Sequence, residues 1–383
     1  MNRFDIAVIG AGVFGSWIAY RLVSEGKRVA LVDAYGAGNS RASSGGETRI
    51  LRFSYGAGEI YTRMAVRALE LWREFLHGCP ETLFHATGAL IAAPAGDAML
   101  HASREAMLGA GAHFETLDSE QLRRRFPQIS FPEDSAAVFE PSSGALLARR
   151  LTNAVASAAR RKGAEILRGR VETPSGAGRL PCVLTTAGSL IEAETFVFSC
   201  GPWLAGLFPQ LLGERIFPTR QEIFFFGIPA GDTRFGPDAL PVWLDRTDPR
   251  LPYGIPDIEN RGVKVAFDLH GPPFDPDSGE RIVSAESIAA AREYLARRFP
   301  ALNDAPLVES RVCQYENTSS GDFLIDRHPE FDNVWIAGGG SGHGFKHGPA
   351  VGEYVADLIV GRRTPEPRFA LAAKQTKQDR TVY

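Results

Sequence analysis

Two small groups of residues have the types and spacing to do chemistry. Gly10-Ala11-Gly12-Val13-Phe14-Gly15 has the G-x-G-x-x-G spacing, and Asp33 stands 23 positions beyond Gly10. Gly10 permits a tight turn, Gly12 lets the backbone approach a pyrophosphate, and Gly15 lets a helix pack closely on a strand. The N–H groups opening such a helix stabilise phosphate charge, and a carboxylate at Asp33 can accept hydrogen bonds from a ribose diol. The pattern predicts a dinucleotide site, without separating NAD from FAD; the alternative is a glycine-rich turn with no ligand. The second group is the small-residue run that starts at Ser40 and leads to Arg49 and Arg52, three apart. Small residues can wrap a bulky flat cofactor, and two guanidiniums can bind the charge of a reduced flavin or a carboxylate. Taken alone, two solvated arginines on a helix face are the commoner outcome.

The elements that must position these groups follow from periodicity. Residues 4–9 are an apolar, β-branched run, residues 13–24 carry apolar positions at helical spacing, and residues 28–32 form a second strand ending at Asp33. This is a strand-helix-strand unit of about 30 residues. Tyr61, Met64, Ala65, Ala68, Leu69, Leu71, Trp72 and Phe75 predict a long amphipathic helix over 59–76, whereas 81–150 is less regular. A helix is expected over 151–163, and a buried strand over 195–199 that ends in Cys200-Gly201-Pro202-Trp203. Alternating runs at 221–226 and 262–267, with Pro- and Gly-rich turns, predict antiparallel sheet through 216–283. Lys264 lies within one of those apolar strands, where an uncompensated ammonium is costly unless it snorkels or faces a polar site. A helix over 284–299, a strand over 334–337, a loop over 338–345 and a helix over 348–359 close the chain.

Composition excludes several function classes. With 42 Lys and Arg against 45 Asp and Glu, the net charge of −3 provides no general attraction to nucleic acid or anionic membrane. The 44% apolar and 23% charged residues are those of a globular protein rather than a disordered one. Cys79, Cys182, Cys200 and Cys313 are widely spaced without a CxxC pair, which fits neither a disulfide framework nor a zinc site and predicts a reducing, cytoplasmic home without a bound metal. The N-terminal run is broken at once by Asp5 and glycines, so no signal peptide is expected, and no stretch of 18 uncharged apolar residues suggests a membrane span.

Taken together, Gly10 to Gly15, the Ser40 to Tyr55 segment, Gly201-Pro202-Trp203, Gln221, Tyr253, Lys264, Cys313-Gln314-Tyr315 and Ser341-Gly342-His343-Gly344-Phe345-Lys346 resemble the monomeric sarcosine oxidase and N-methyltryptophan oxidase group of the D-amino-acid-oxidase superfamily. The resemblance covers nearly the whole chain. It implies an α/β fold, in which a Rossmann-like, glutathione-reductase-type FAD lobe (1–80, 151–215 and 311–383) is interleaved with an α+β substrate lobe on an antiparallel sheet (81–150 and 216–310). It implies FAD attached through a thioether to Cys313, where an inert buried thiol is the alternative, and a monomer with oxygen as electron acceptor. Arg49 and Lys264 correspond to cations on the flavin face opposite the substrate, the lysine promoting reaction with oxygen. Arg52 and Lys346 match the pair that holds a substrate carboxylate, with Tyr253 and Tyr315 lining that pocket. Ala34, Ser40, Arg41, Ser43, Ser44, Thr48, Val171, Cys200, Gly201, Trp203, Gly340, Ser341, Gly342, His343, Gly344 and Phe345 complete the implied cofactor site. His343, between glycines, is expected to serve through its loop backbone rather than its imidazole.

Two positions depart from the group's pattern: Gly45 and Asp268 stand where sarcosine-type oxidases commonly have histidines. Gly45 removes bulk, and Asp268 could pair with a cationic group on a larger substrate. The activity implied is oxidation of the C–N bond of a secondary, N-methyl or cyclic amino acid to an imine, with oxygen reduced to hydrogen peroxide. A dehydrogenase passing electrons to a quinone or protein acceptor, and a non-catalytic flavin-binding subunit, are the alternatives.

Overall fold

A computed structural model of the chain describes residues 3–378. Its central sheet joins strands from both ends and the middle of the sequence, in the order Leu324–Arg327, Val334–Gly338, Leu190–Phe198, Phe4–Ile9, Val29–Asp33 and Glu165–Arg168. The last five are mutually parallel, with Ile9 level with both Phe198 and Val32, and Asp33 level with Arg168. Strands buried on both faces read as continuous apolar runs, which is why Ala7, Val8, Ala30, Leu31, Val32, Phe196, Val197 and Phe198 are wholly enclosed. Parallel pairing also brings all the carboxyl ends to one edge. Gly10, Asp33, Gly169, Ser199 and Gly339 therefore leave the sheet side by side, where open α/β sheets have their ligand crevice.

One face of this sheet is covered by the helix Val13–Ser24, which packs between Gly348–Ile359 and Ala148–Arg161. Gly348 and Gly352 allow close contact: a Cβ at either would fall within 3 Å of Val13 or Trp17. Glu59–Leu76 is the amphipathic helix its periodicity predicts, burying Tyr61, Ala65, Ala68, Leu69 and Trp72. Ser284 caps the helix Ala285–Arg298 by accepting from Ser287 N–H.

A second sheet of eight strands runs in the order Leu307–Asn317, Phe217–Phe226, Val263–Phe267, Pro252–Ile255, Val242–Asp245, Ala89–Pro94, Ser135–Glu140 and Glu115–Leu117. The antiparallel pairing expected through 216–283 is present, but the sheet also recruits Ala89–Pro94, parallel to Val242–Asp245. Region 81–150 is thus regular after all. Ala89–Pro94 and Ser135–Glu140 are short and largely buried on both faces, so no period-2 alternation marks them. Pairing levels Gln221 with Cys313, Phe225 with Lys264, and Tyr253 with Ala266. Side chains alternate along a strand, so Lys264, Ala266, Tyr253, Ile223, Cys313 and Tyr315 share one face. The other face carries Phe224, Phe226, Val263 and Val265 into an apolar core with Trp243 and Tyr294.

A three-stranded sheet, Thr48–Leu51, Gly144–Leu147 and Phe84–His85, carries Arg49. Arg49 and Arg52 are consequently on a strand and just beyond it, not on a solvated helix face. None of the helices is long and apolar enough to cross a membrane, among the described residues.

Candidate functional site

A cavity of about 650 Å³ opens at the carboxyl edge of the central sheet. Its wall contains Gly10, Gly12, Val13 and Phe14 from the first turn, Asp33 and Ala34 from the second strand, and Ser43, Ser44 and Arg49 from the small-residue segment. Val171, Cys200, Gly201 and Trp203 follow, then Tyr315 and the loop residues Gly340, Ser341, Gly342, Gly344 and Phe345. Ala11, Gly15, Ser40, Arg41, Thr48, Cys313, His343 and Lys346 are set back from that wall, as are Lys264, Arg52, Tyr253, Asp268 and Gly45.

The glycines act for different reasons. Gly10 has φ +102°, and a Cβ there would lie 2.3 Å from the Ser199 carbonyl oxygen. At Gly15 a Cβ would lie 1.8 Å from the Gly10 oxygen, so helix and strand touch through this position. Gly12, by contrast, has an ordinary extended backbone and meets only Ser44 Oγ at 3.5 Å. Its missing side chain is space left on the cavity wall. Asp33 holds the turn, accepting from Ala11 N–H (2.8 Å), Tyr35 N–H (2.8 Å) and Gly36 N–H (2.7 Å). Ser44 Oγ accepts from Val13 N–H at 3.0 Å, at the start of the helix.

The donor set fits a phosphate-bearing dinucleotide. Ser43 Oγ, Ser199 Oγ and Glu316 Oε2 are buried without a hydrogen-bond partner among the described residues, and all three residues line the cavity. Buried polar atoms are normally satisfied, so this concentration marks where a polar ligand belongs.

Around Arg49 the structure assembles the residues of the second sheet. The guanidinium donates to the carbonyls of Thr48 (2.8 Å) and Ser43 (2.6 Å) and lies 3.3 Å from Cys313 Sγ. Lys264, 1% exposed, donates to the Thr48 carbonyl at 3.1 Å and lies 5.4 Å from the Tyr253 ring centroid. Burial, and then Arg49, holds its pKa well below that of an ordinary lysine. Burial pushes the Tyr253 hydroxyl up to about 12 and raises Tyr315 well above its usual range, the latter reinforced by Asp268. Tyr315 donates to Asp268 at 2.8 Å, and its ring lies against Gly342.

Arg52 and Lys346 both lie against Tyr55. The Arg52 guanidinium stands 4.5 Å from the ring centroid, and Lys346 Nζ donates to the Tyr55 hydroxyl at 2.8 Å and to the His343 carbonyl at 3.0 Å. Tyr55 also bonds His347 Nε2 at 2.8 Å. Trp72 Nε1 donates to the Lys346 carbonyl, fixing its backbone. The imidazole of His343 stacks on Phe323 with Nε2 3.0 Å from the Gly321 carbonyl, while its flanking glycines face the cavity. Gly45 gives the pocket no room: a Cβ there would lie 1.8 Å from the Asn39 carbonyl oxygen, against main chain rather than cavity.

Tyr35, Arg170 and Asp277 line the cavity and carried no sequence signal. Arg170 donates to Asp277 and to the Tyr35 hydroxyl (2.8 Å), Trp203 Nε1 donates to Asp277 (3.0 Å), and Arg41 donates to the Asp277 carbonyl (3.2 Å). This cluster draws a loop of the second sheet across to the central one. The Pro- and Gly-rich turns of 216–283 are visible in the sequence; the partners of Asp277, 74 to 236 positions away, are not. Glu316 was also missed, although it lies three positions beyond Cys313 on the same strand.

Residues 5–358 match the FAD dependent oxidoreductase (DAO) family. The monomeric sarcosine oxidase of Bacillus sp. (strain B-0618) is 33% identical over 375 residues, covering 95% of this chain and 94% of that protein. The N-methyl-L-tryptophan oxidase of Yersinia pestis (strain Pestoides F) is 29% identical over 367 residues, covering 94% and 96%. Among solved structures, L-proline dehydrogenase from P. horikoshii superposes with a TM-score of 0.84 at 22% identity over 97% of each chain, a likeness of fold.

Proposed function

The chain belongs to the FAD dependent oxidoreductase family, and from that premise we propose that it oxidises the C–N bond of a secondary, N-methyl or cyclic amino acid to an imine, with oxygen as the acceptor. The single observation that carries this reading is the pair of cations beside Cys313. Arg49 and Lys264 share the Thr48 carbonyl as acceptor, Arg49 also donates to the Ser43 carbonyl, and no carboxylate is among their hydrogen-bond partners. Two positive groups at that depth are costly unless an anion completes the site. Bound FAD supplies the two-electron redox chemistry.

The chain's own residues have distinct tasks in this proposal. Gly10, Gly12 and the opening of the helix Val13–Ser24 hold the pyrophosphate, and Asp33 accepts from the ribose. Cys313 Sγ, held at Arg49, is the attachment point for the flavin. Lys264, whose charged form burial and Arg49 disfavour until an anion is bound beside it, then lowers the cost of reducing oxygen as an ammonium. Arg52 and Lys346, both held against Tyr55, grip the substrate carboxylate and fix the C–N bond in one orientation. The relatives' names support the substrate class: sarcosine and N-methyl-L-tryptophan are both N-methyl amino acids.

The test is a panel of N-methyl amino acids, proline analogues and other secondary amines added anaerobically to the purified protein. The proposal expects flavin bleaching by at least one carboxylate-bearing amine, then rapid recolouring and peroxide on admitting oxygen. Bleaching followed by recolouring only with a quinone would replace the oxidase reading by a dehydrogenase. No bleaching by any amine would overturn the amine-oxidising reading itself.

A further inference from the structure

The strand Leu307–Asn317 brings to the cavity a carboxyl that the proposal above leaves without a task. Glu316 is 9% exposed and part of the cavity wall. Oε1 accepts from Gly340 N–H at 3.0 Å, and the Glu316 carbonyl accepts from Ser341 N–H at 3.0 Å, so the residue is clamped to the loop from both main chain and side chain. Oε2 is buried with no hydrogen-bond partner among the described residues.

The surroundings of this oxygen are made of absent side chains. A Cβ at Gly201 would lie 3.2 Å from Oε2 and one at Gly338 3.8 Å from it, while one at Gly340 would lie 3.2 Å from Oε1. Of these, Gly201 in the turn after Leu190–Phe198 and Gly340 in the loop after Val334–Gly338 line the cavity beside the carboxyl, whereas Gly338 packs on Leu204. Burial raises its pKa to about 7, the Gly340 hydrogen bond opposing only in part, so the neutral acid is populated at neutral pH and can donate. A buried polar atom without a partner costs about 1–3 kcal/mol. Such an atom, held rigidly in a wall that faces a ligand cavity, has its partner in the ligand.

We infer that Glu316 is a cofactor-binding residue, its Oε2 hydrogen-bonding to the flavin-bearing half of FAD rather than to the adenosine half. The inference rests on the reading of this cavity as the FAD site. The half is chosen by position: Glu316 follows Cys313 and Tyr315 on one strand and is bonded to the Gly340 loop, whereas Asp33, which marks the ribose end, leaves the sheet three strands along from Val334–Gly338.

The test uses the full-length chain carrying Cys313→Ala, so that flavin retention reports non-covalent affinity, titrated with FAD and with ADP. ADP carries the adenosine and pyrophosphate but not the flavin. Glu316→Leu should weaken FAD by about tenfold or more while leaving ADP within about twofold. Glu316→Gln, whose amide still donates, should restore most of the FAD affinity. Equal weakening of FAD and ADP would assign Glu316 to loop structure alone, and unchanged FAD binding by the Leu variant would remove it from the site; either overturns the inference. Should the Leu variant fail to fold, Glu316→Asp, which retracts the carboxyl by one methylene, carries the same comparison. Failure of the Cys313→Ala parent to bind either nucleotide would overturn the cavity reading and this inference with it.

Discussion

Replacing Gly12 and Gly15 separately by alanine distinguishes a ligand-binding glycine from a packing glycine within one motif. At Gly12, φ −67° and ψ −175° suit alanine, and the new methyl would meet only Ser44 Oγ at an ordinary 3.5 Å. Folding should therefore be unaffected or favoured by about 0.4–1 kcal/mol, because alanine restricts the unfolded chain. The methyl instead occupies the wall where backbone approaches phosphate. Losing one charge-assisted hydrogen bond, about 1.5–3 kcal/mol, weakens FAD by roughly 10- to 100-fold. At Gly15 the methyl would sit 1.8 Å from the Gly10 oxygen, and both partners are main chain in the tightest part of the fold. Displacing helix from strand there should cost about 3 kcal/mol or more. The assay is FAD titration in the Cys313→Ala background, with denaturant unfolding of flavin-free parent and variants. A Gly12→Ala protein that binds FAD like its parent, or that is destabilised as much as Gly15→Ala, would refute the division of roles.

Cys313→Ser should give protein that is yellow as purified but releases its flavin to the supernatant on acid precipitation, whereas the parent keeps the colour in the pellet; colour released equally by both would remove the covalent link. Lys264→Met should leave anaerobic reduction by substrate within a few-fold of the parent and slow reoxidation by oxygen by roughly 10²- to 10³-fold in stopped flow, since a preorganised charge is lost where charge develops. His347 is wholly buried and its pKa is held well below 6.5 by burial, with Lys346 and Arg52 contributing. The unfolded chain takes up a proton at this position that the folded chain refuses. The stabilisation is therefore complete above about pH 6.5 and falls as pH drops below it, by up to about 1.4 kcal/mol per pH unit. His347→Gln should flatten that acid limb in unfolding midpoints measured against pH, and an unchanged slope would count against the assignment. Asp268→Asn should selectively weaken amines that carry a second cationic group, measured as kcat/KM across the substrate panel; an unchanged ranking would remove Asp268 from substrate selection and leave it a partner of Tyr315.

What could be read from residue order alone was set by short-range sterics. The turn at Gly10, the helix after it and Asp33 lie within one strand-helix-strand unit, and Glu59–Leu76 declares itself by its 3.6-residue period. The resemblance to known oxidases added candidate roles for Arg49, Arg52, Lys264, Cys313 and Lys346, but no local rule joins them. Arg49 and Cys313 are separated by 264 positions and are brought to 3.3 Å only because a strand of the three-stranded sheet packs against the far edge of the eight-stranded one. Tertiary packing likewise placed the two arginines at a strand rather than on a helix, turned Gly45 toward main chain, and ordered region 81–150 by burying Ala89–Pro94 and Ser135–Glu140 largely on both faces. Glu316 looked like one more polar residue near the end of a strand; only the folded structure brings it, with Gly201 and Gly340, to the cavity wall with one oxygen unpartnered. A glycine's freedom or a helix's period depends on neighbours in the chain, whereas burial, shared acceptors and empty space depend on neighbours across it.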